Sequence, residues 1–194
     1  MSKAPDYLGP ITGWRGWYVV ADEHVARLSS LVYPTLWPSR RELRATCRHR
    51  PLRLLRPWRR RPPDHDAPNE SCKCGIYATA DPEKAAAYLE DCIVHAEPIR
   101  WPVLHRVIGR VSLWGSVVEC VDGWRASHAY PERLYVPSLH EDLDDGSDSR
   151  TIACELTAYG VPIELLECWA YEDVAAVLKV EAAAQHPNDT SAAA

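Results

Sequence analysis

The sequence predicts an α+β protein in which a curved antiparallel sheet, or a small β-barrel, is flanked by helices. The central stretch PVLHRVIGRVSLWGSVVECVDGWRASHAY is rich in β-branched residues and contains Gly109 and Gly115, which indicate bends or bulges that curve a sheet. Asp122-Gly123 lies between two extended runs and predicts a hairpin that pairs SVVECV with WRASHA. The segment DPEKAAAYLEDCIV predicts a helix, because Asp81 suits an N-cap and Pro82 suits the first helical position.

The remaining elements follow from local patterns in chain order. GWRGWYVV predicts a first strand and ARLSSLVY a second, while ELRATCRH alternates apolar residues with arginines at the period of a half-buried strand. CGIYAT predicts a short strand that leads into the helix over residues 81–94. SRTIACELTAYG predicts a helix that Gly160 ends, and ELLECWAYEDVAAVLKVEAAAQ is expected to continue as helix.

These elements divide the chain into one main domain and C-terminal appendages. Residues 1–137 are expected to form a mostly β core domain that includes an Arg/Pro-rich loop over 48–71. Residues 138–150 indicate an acidic linker, 151–185 a C-terminal helical region, and 186–194 a disordered tail. The 194 residues are enough for one sizeable core.

The sequence shows no feature of a membrane or secreted protein. No apolar run approaches the roughly 20 residues that cross a bilayer. The N-terminus, MSKAPDYLGPITGW, lacks the apolar core region of a secretory signal. We therefore expect a cytoplasmic protein without a membrane partner, whose seven cysteines stay as thiols or bind metal.

Charge is distributed unevenly along the chain. The net charge is −5, but residues 40–61 contain ten arginines against the single acid Glu42, whereas residues 141–194 carry twelve acids against Arg150 and Lys179. Such asymmetry indicates a nucleic-acid partner for the basic segment, a protein partner for the acidic C-terminal region, or pairing of the two segments. The expected contacts to nucleic-acid phosphates are Arg53, Arg56, Arg59, Arg60 and Arg61. The alternative is a solvated, proline-rich loop without a ligand.

Three cysteines and a histidine around the basic segment form a candidate metal site. Cys47 precedes most of the segment, HDAPNESCKCG supplies His65, Cys72 and Cys74 after it, and His49 is an alternative to His65. Thiolates and imidazole are the ligands that zinc takes in structural sites, and a zinc ion would hold the long loop in place. Two alternatives stay open: buried or free thiols without metal, and a nucleophilic Cys74 activated by a histidine.

Aromatic residues on the predicted hairpin form a candidate ligand site. Strand alternation places Trp124 and His128 on one face and Arg125 on the other. Aromatic rings with an arginine suit a nucleobase-like ligand, which stacks on the rings and takes hydrogen bonds at its edge. The expected ligand-binding residues are Trp114, Trp124, Arg125, Tyr130, His128 and Tyr77. The alternative is that the tryptophans form the core of a chain that has no phenylalanine.

Three resemblances add expectations to this interpretation. The runs CGIYATADPEKAAAYLED and GRVSLWGSVVECVDGWRASHAYPERLYV resemble a pattern of bacterial proteins of this size, which implies no function. Residues 72–137 resemble PUA-like domains at the level of fold, and this resemblance implies binding of RNA or of a modified base. GIYATADPEKAAAYLE also resembles a strand and helix of ADP-ribosyltransferases, which implies NAD chemistry with Glu119 as the downstream glutamate.

These features favour a non-enzymatic binding module for nucleic acid or a nucleobase-like ligand. A zinc-stabilised protein-interaction or regulatory protein is the second hypothesis, and an NAD-dependent ADP-ribosyltransferase-like enzyme is the third. The chain has neither a Walker motif nor a Gly-x-Gly-x-x-Gly motif, which argues against a classical nucleotide-binding loop.

Overall fold

The computed structural model describes residues 9–47, 65–90, 98–139, 149–168 and 173–179. Within these residues the protein is sheet-rich, with seven strands in one curved, mixed sheet and three helices. None of the helices in the described ranges is long and apolar enough to cross a membrane.

Strands dominate the element order. The strands are β1 (Ile11–Asp22), β2 (Val25–Ser30), β3 (Leu43–Arg44), β4 (Ile76–Thr79), β5 (Val103–Cys120), β6 (Gly123–Leu139) and β7 (Ile163–Cys168). The helices are α1 (Pro82–Glu90), α2 (Ser149–Leu156) with a following 3-10 turn (Thr157–Tyr159), and α3 (residues 173–179).

The long strands β5 and β6 form the centre of the sheet. β1 pairs with β2 in a hairpin whose two turn residues, Glu23 and His24, both have positive φ, and its other edge pairs with β5. β5 pairs with β6, and the far edge of β6 is shared by β3, β4 and β7. One further pair, Trp14 with Thr79, joins β4 to β1. Because β4 also pairs with β6, the sheet must curve to bring these strands together.

The predicted hairpin and its irregularities are confirmed. Cys120 pairs with Gly123 across a two-residue turn, so the runs SVVECV and WRASHA lie side by side. The β5–β6 register shifts around Gly115, whose φ of 78° lies in the left-handed region. At Gly109 a Cβ atom would lie 2.1 Å from the carbonyl oxygen of Arg133, so only glycine permits this approach of the two strands.

The predicted start of one helix and the predicted end of another are also confirmed, whereas residues 91–94 of the first lie outside the described residues. The Asp81 carboxylate accepts a hydrogen bond of 2.8 Å from the backbone N–H of Glu83, which caps α1 after Pro82 as its first residue. The α2 segment ends at Gly160, which adopts a left-handed conformation and donates its N–H to the carbonyl of Thr157.

Two expectations about the sheet and the C-terminal region were wrong. The region predicted to be helical over residues 151–185 contains β7, and the sheet is mixed because β7 runs parallel to β6. In β7, Leu166 and Cys168 are buried while Leu165 and Glu167 are exposed, which is the two-residue period of a strand. Pairing with the free edge of β6 therefore outweighs the helical preference of the local sequence. The small barrel and the PUA-like likeness stay predictions.

Both faces of the sheet are covered by apolar clusters. Along β1, Trp17 and Val19 enter one cluster, and Tyr18 and Val20 enter the other. α2 packs into the first cluster through Ile152, whereas the second contains residues of α1 and α3. A strand buried on both sides in this way shows a continuous apolar run, as WYVV does.

Candidate metal centre

Strands β3 and β4 meet the same edge of β6 one position apart. The backbone N–H of Ala45, just after β3, donates to the carbonyl of Ser127, and Ile76 at the start of β4 pairs with Ala126. The chain therefore departs from the edge of β6 opposite Ser127 and returns to that edge opposite Ala126, the adjacent residue of β6. This arrangement brings the cysteine that follows β3 to the two cysteines that precede β4.

The four candidate ligands converge. The Sγ atoms of Cys47 and Cys72 lie 3.7 Å apart, and the Sγ of Cys74 lies 3.5 Å from Nε2 of His65. All four ligand atoms lie within 4.8 Å of one another. Around a tetrahedral zinc ion, usual bond lengths separate two sulfurs by about 3.8 Å and a sulfur from a nitrogen by about 3.6 Å. The two measured separations therefore match those of a loaded site, and the four residues are placed to hold a metal ion. We call them the Cys3His cluster.

The thiols of the Cys-x-Cys pair differ in acidity. Burial raises the pKa of Cys74 to about 11, and the neighbouring thiols of Cys72 and Cys47 act in the same direction. Burial also opposes ionisation of Cys72, but hydrogen bonds to the backbone of Cys74 and to the side chains of Cys47 and Cys74 lower its pKa overall. A metal ion must therefore displace a proton from Cys74, so metal uptake releases protons.

A turn around Asn69 organises the chain before the Cys-x-Cys pair. The side-chain Oδ1 of Asn69 accepts hydrogen bonds from the N–H (3.0 Å) and the hydroxyl (2.7 Å) of Ser71. The carbonyl of Asn69 accepts the N–H of Cys72 at 3.0 Å. This Asx turn fixes the chain up to Cys72, the first cysteine of the pair.

Arg125 supports this turn from the neighbouring strand. Its Nη1 donates to the carbonyls of Cys72, Cys74 (3.0 Å) and Asn69 (3.4 Å). Its Nε donates to the Sγ of Cys120 at 3.3 Å. The side chain predicted to bind a ligand on the hairpin thus holds the backbone that carries two of the metal ligands.

Gly75 and Tyr77 complete the support. Gly75 has a φ of +124°, and a Cβ atom there would lie 3.0 Å from the Cβ atoms of Arg125 and Pro68. The Tyr77 hydroxyl donates to the carbonyl of Lys73 at 2.8 Å, and its ring lies 5.8 Å from the guanidinium carbon of Arg125. Both residues therefore fix the short connection from the Cys3His cluster to β4.

The other predicted ligand-binding residues do not gather around one point with Arg125. Trp114 and His128 face each other across the β5–β6 pair, with ring centroids 6.0 Å apart and nearly parallel planes. Trp124 and Tyr130 pack against the first apolar cluster. The Tyr130 hydroxyl donates to the carbonyl of Tyr159 at 2.7 Å.

The residues predicted to contact nucleic-acid phosphates all lie outside the described residues: Arg53, Arg56, Arg59, Arg60 and Arg61. The predicted loop over residues 48–71 is described only from His65 onward.

Sequence reasoning found the four ligands from their residue types but missed what positions them. The signal for the turn was present, since an Asn two residues before a Ser is typical of an Asx turn. The signal for Arg125 was not local, because its contacts depend on the β4–β6 register. Comparison with protein-family models, curated proteins and solved structures gave no match, so the geometry of the chain itself carries the assignment of the site.

Proposed function

We propose that this protein is a non-enzymatic binding module built around a structural zinc ion held by Cys47, His65, Cys72 and Cys74. The observation that carries the proposal is the agreement of the two separations, 3.7 Å between sulfurs and 3.5 Å between sulfur and nitrogen, with tetrahedral zinc geometry.

The donor set favours zinc in a structural role. Three thiolates and one imidazole are a soft set that suits zinc better than magnesium, calcium or manganese. Four protein ligands fill a tetrahedral shell, whereas a catalytic zinc keeps one position for water or substrate. Zinc binding would also stabilise the fold, because it ties together two parts of the chain that are 25 positions apart.

The position of the basic segment supports nucleic acid as the partner. In the sequence, Arg53, Arg56, Arg59, Arg60 and Arg61 all lie between Cys47 and His65, the first and second ligands. A zinc ion at the Cys3His cluster would therefore fix both ends of this segment against β6. Guanidinium groups bind phosphates in a bidentate manner, and clustered arginines supply affinity that does not depend on sequence.

Metal analysis of untagged protein tests the zinc proposal. We expect about one equivalent of zinc in the wild-type chain and a tetrahedral cobalt–thiolate spectrum after cobalt replaces zinc. Cys72→Ser should lose the metal, while Cys154→Ser, which changes an exposed cysteine outside the cluster, should retain it. Less than about half an equivalent of zinc, together with no cobalt uptake, would contradict a structural zinc site.

Binding of a fluorescent single-stranded oligonucleotide at increasing salt tests the nucleic-acid proposal. Each lost phosphate contact should reduce the slope of log K against log salt by about 0.7. Arg60→Gln should show this reduction, and the matched control Arg100→Gln, at an exposed position outside the basic segment, should not. Absence of binding by the zinc-loaded protein at low salt would exclude this partner and leave the zinc proposal standing.

A further inference from the structure

Arg125 is a buried cation without an acidic partner in the part of the chain that the structure describes. Only 7% of the Arg125 surface is exposed to solvent. The ion pairs of the described residues involve other arginines and lysines. The guanidinium instead faces neutral groups: the carbonyls of Asn69, Cys72 and Cys74 and the thiol of Cys120.

A buried charge that meets only neutral groups is costly, because carbonyl dipoles replace only part of the lost hydration. Binding of a divalent ion to the Cys3His cluster would lower this free-energy cost. Zinc with three thiolates and one neutral imidazole carries one net negative charge. The backbone carbonyls of two ligands, Cys72 and Cys74, already touch the guanidinium, so the two opposite charges would lie close together in a poorly hydrated region.

We propose that Arg125 is the counter-ion and positioning residue of the metal centre, an inference that rests on the proposed zinc site. Its Nη1 donates to the carbonyls of both Cys72 and Cys74 and so fixes the backbone from which their thiolates point to a common centre. Its positive charge offsets the net negative charge of the loaded cluster. Without metal, Arg125 thus has no acidic partner among the described residues, and metal uptake supplies a negative charge beside it.

The chain offers a matched control in Arg15. This arginine is also largely enclosed; it donates to the Ser30 hydroxyl at 3.1 Å and to the carbonyl of Tyr77, and its guanidinium carbon lies 5.3 Å from the centre of the Trp37 ring. None of these contacts is with a residue of the Cys3His cluster. Replacing Arg15 removes an enclosed guanidinium of the same kind without touching the metal ligands.

The test measures zinc affinity by competition with a chromophoric chelator, in the full-length chain. Arg125→Met should weaken zinc binding by about 10- to 100-fold, the range for residues that support metal ligands. Arg125→Lys keeps the charge and should recover a large part of that loss. Arg15→Met should lower the melting temperature but change zinc affinity by less than about threefold.

The outcomes separate this inference from the proposed function. If the wild-type protein takes up no zinc, both the proposed zinc site and the proposed role of Arg125 are wrong. If wild-type protein binds zinc but Arg125→Met binds it equally tightly, or if Arg15→Met weakens binding as much, only the role of Arg125 is overturned. Should Arg125→Met fail to fold, Arg125→Gln replaces it as the variant without the charge, and Arg125→Lys and Tyr77→Phe are compared with it. Tyr77→Phe removes the bond to the carbonyl of Lys73 but no charge, so it should weaken zinc binding less than Arg125→Gln does.

Discussion

Two enclosed arginines on the same sheet have contrasting surroundings. Arg15 lies against the ring of Trp37 and the hydroxyl of Ser30, and burial lowers its pKa to about 10. Arg125 lies against carbonyls that belong to metal ligands. The Nε of Arg15 is buried without a hydrogen-bond partner among the described residues, and none of the contacts of Arg15 named above is with a member of the Cys3His cluster. In our proposal, a metal ion at the Cys3His cluster would offset the charge of Arg125. The first region should therefore be stable in the empty protein, and the second should depend on metal.

Removal of metal should give the largest difference between the two regions. With free zinc at a thousandfold excess over Kd, binding stabilises the folded state by about 4 kcal/mol. For a chain of this size that corresponds to roughly 8–16 °C in melting temperature. A strong chelator should cause this loss in wild-type protein, measured by differential scanning calorimetry. Cys74→Ser should already be destabilised and should not respond to the chelator; a full response from this variant would contradict metal binding at the cluster.

Tyr159→Phe should damage the Arg15 region alone. The buried hydroxyl accepts the N–H of Leu28 at 2.9 Å and donates to the carbonyl of Trp37 at 2.8 Å. Its loss leaves both backbone groups unsatisfied and should cost about 1–3 kcal/mol in urea denaturation. Zinc content should stay at the wild-type level. A loss of zinc in this variant would show that the two regions are coupled.

The same tyrosine should give the protein a distinctive alkaline pH dependence. Burial raises the pKa of Tyr159 from 10.0 to about 12, because the ionised form is poorly hydrated in the core. Its contribution to the free energy of unfolding is therefore complete below pH 10 and is lost as the pH rises towards 12. Denaturation at several pH values should show this decline in wild-type protein and a shallower decline in Tyr159→Phe. Equal slopes would contradict the assignment.

Gly75→Ala should affect the Arg125 region by a smaller amount. Its φ of +124° disfavours any side chain, and the added methyl group meets Arg125 and Pro68 at 3.0 Å. We expect a cost of about 1–2 kcal/mol and a zinc affinity lowered by about tenfold. Gly9→Ala is the control, because no atom lies within 4 Å of its Cβ position. If both variants bound zinc as the wild type does, the backbone at Gly75 would not position the ligands.

Trp114→Ala should have the smallest effect. Its ring stacks on His128 at the half-buried surface of the hairpin, and such aromatic pairs contribute about 0.5–1.5 kcal/mol beyond burial. A double-mutant cycle with His128→Ala should recover a coupling of about 0.5–1 kcal/mol, with zinc content unchanged. A coupling near zero would show that the stacking does not stabilise the hairpin.

Local signals predicted the parts of the fold that short sequences determine. Asp122-Gly123 specified the β5–β6 hairpin, and Asp81 with Pro82 specified the start of α1. β7 was missed because a run of six residues is too short for its two-residue period to stand out, and its partner is distant in sequence. The parallel pairing of β7 with β6 depends on tertiary contacts, so a short sequence window does not predict it.

The candidate site was predicted by residue chemistry and not by spacing. Cys47, His65, Cys72 and Cys74 stood out as soft ligands, although Cys-x-Cys in an extended strand would span one ion poorly. The turn at Asn69 ends at Cys72 and orders the chain that leads into the pair. The function of Arg125 could not be predicted, because its position beside the cysteines depends on the register of β4 on β6.

The meeting of β3 and β4 on one edge of β6 has a consequence for how such a chain can change. Ala45 and Ile76 occupy adjacent places on β6, so the sheet fixes where the intervening chain departs and returns but not how long it is. Doubling the length of a flexible insertion costs only about 0.6 kcal/mol in closure entropy. Changes in the length of the chain between Ala45 and Ile76 should therefore leave every strand pair in register.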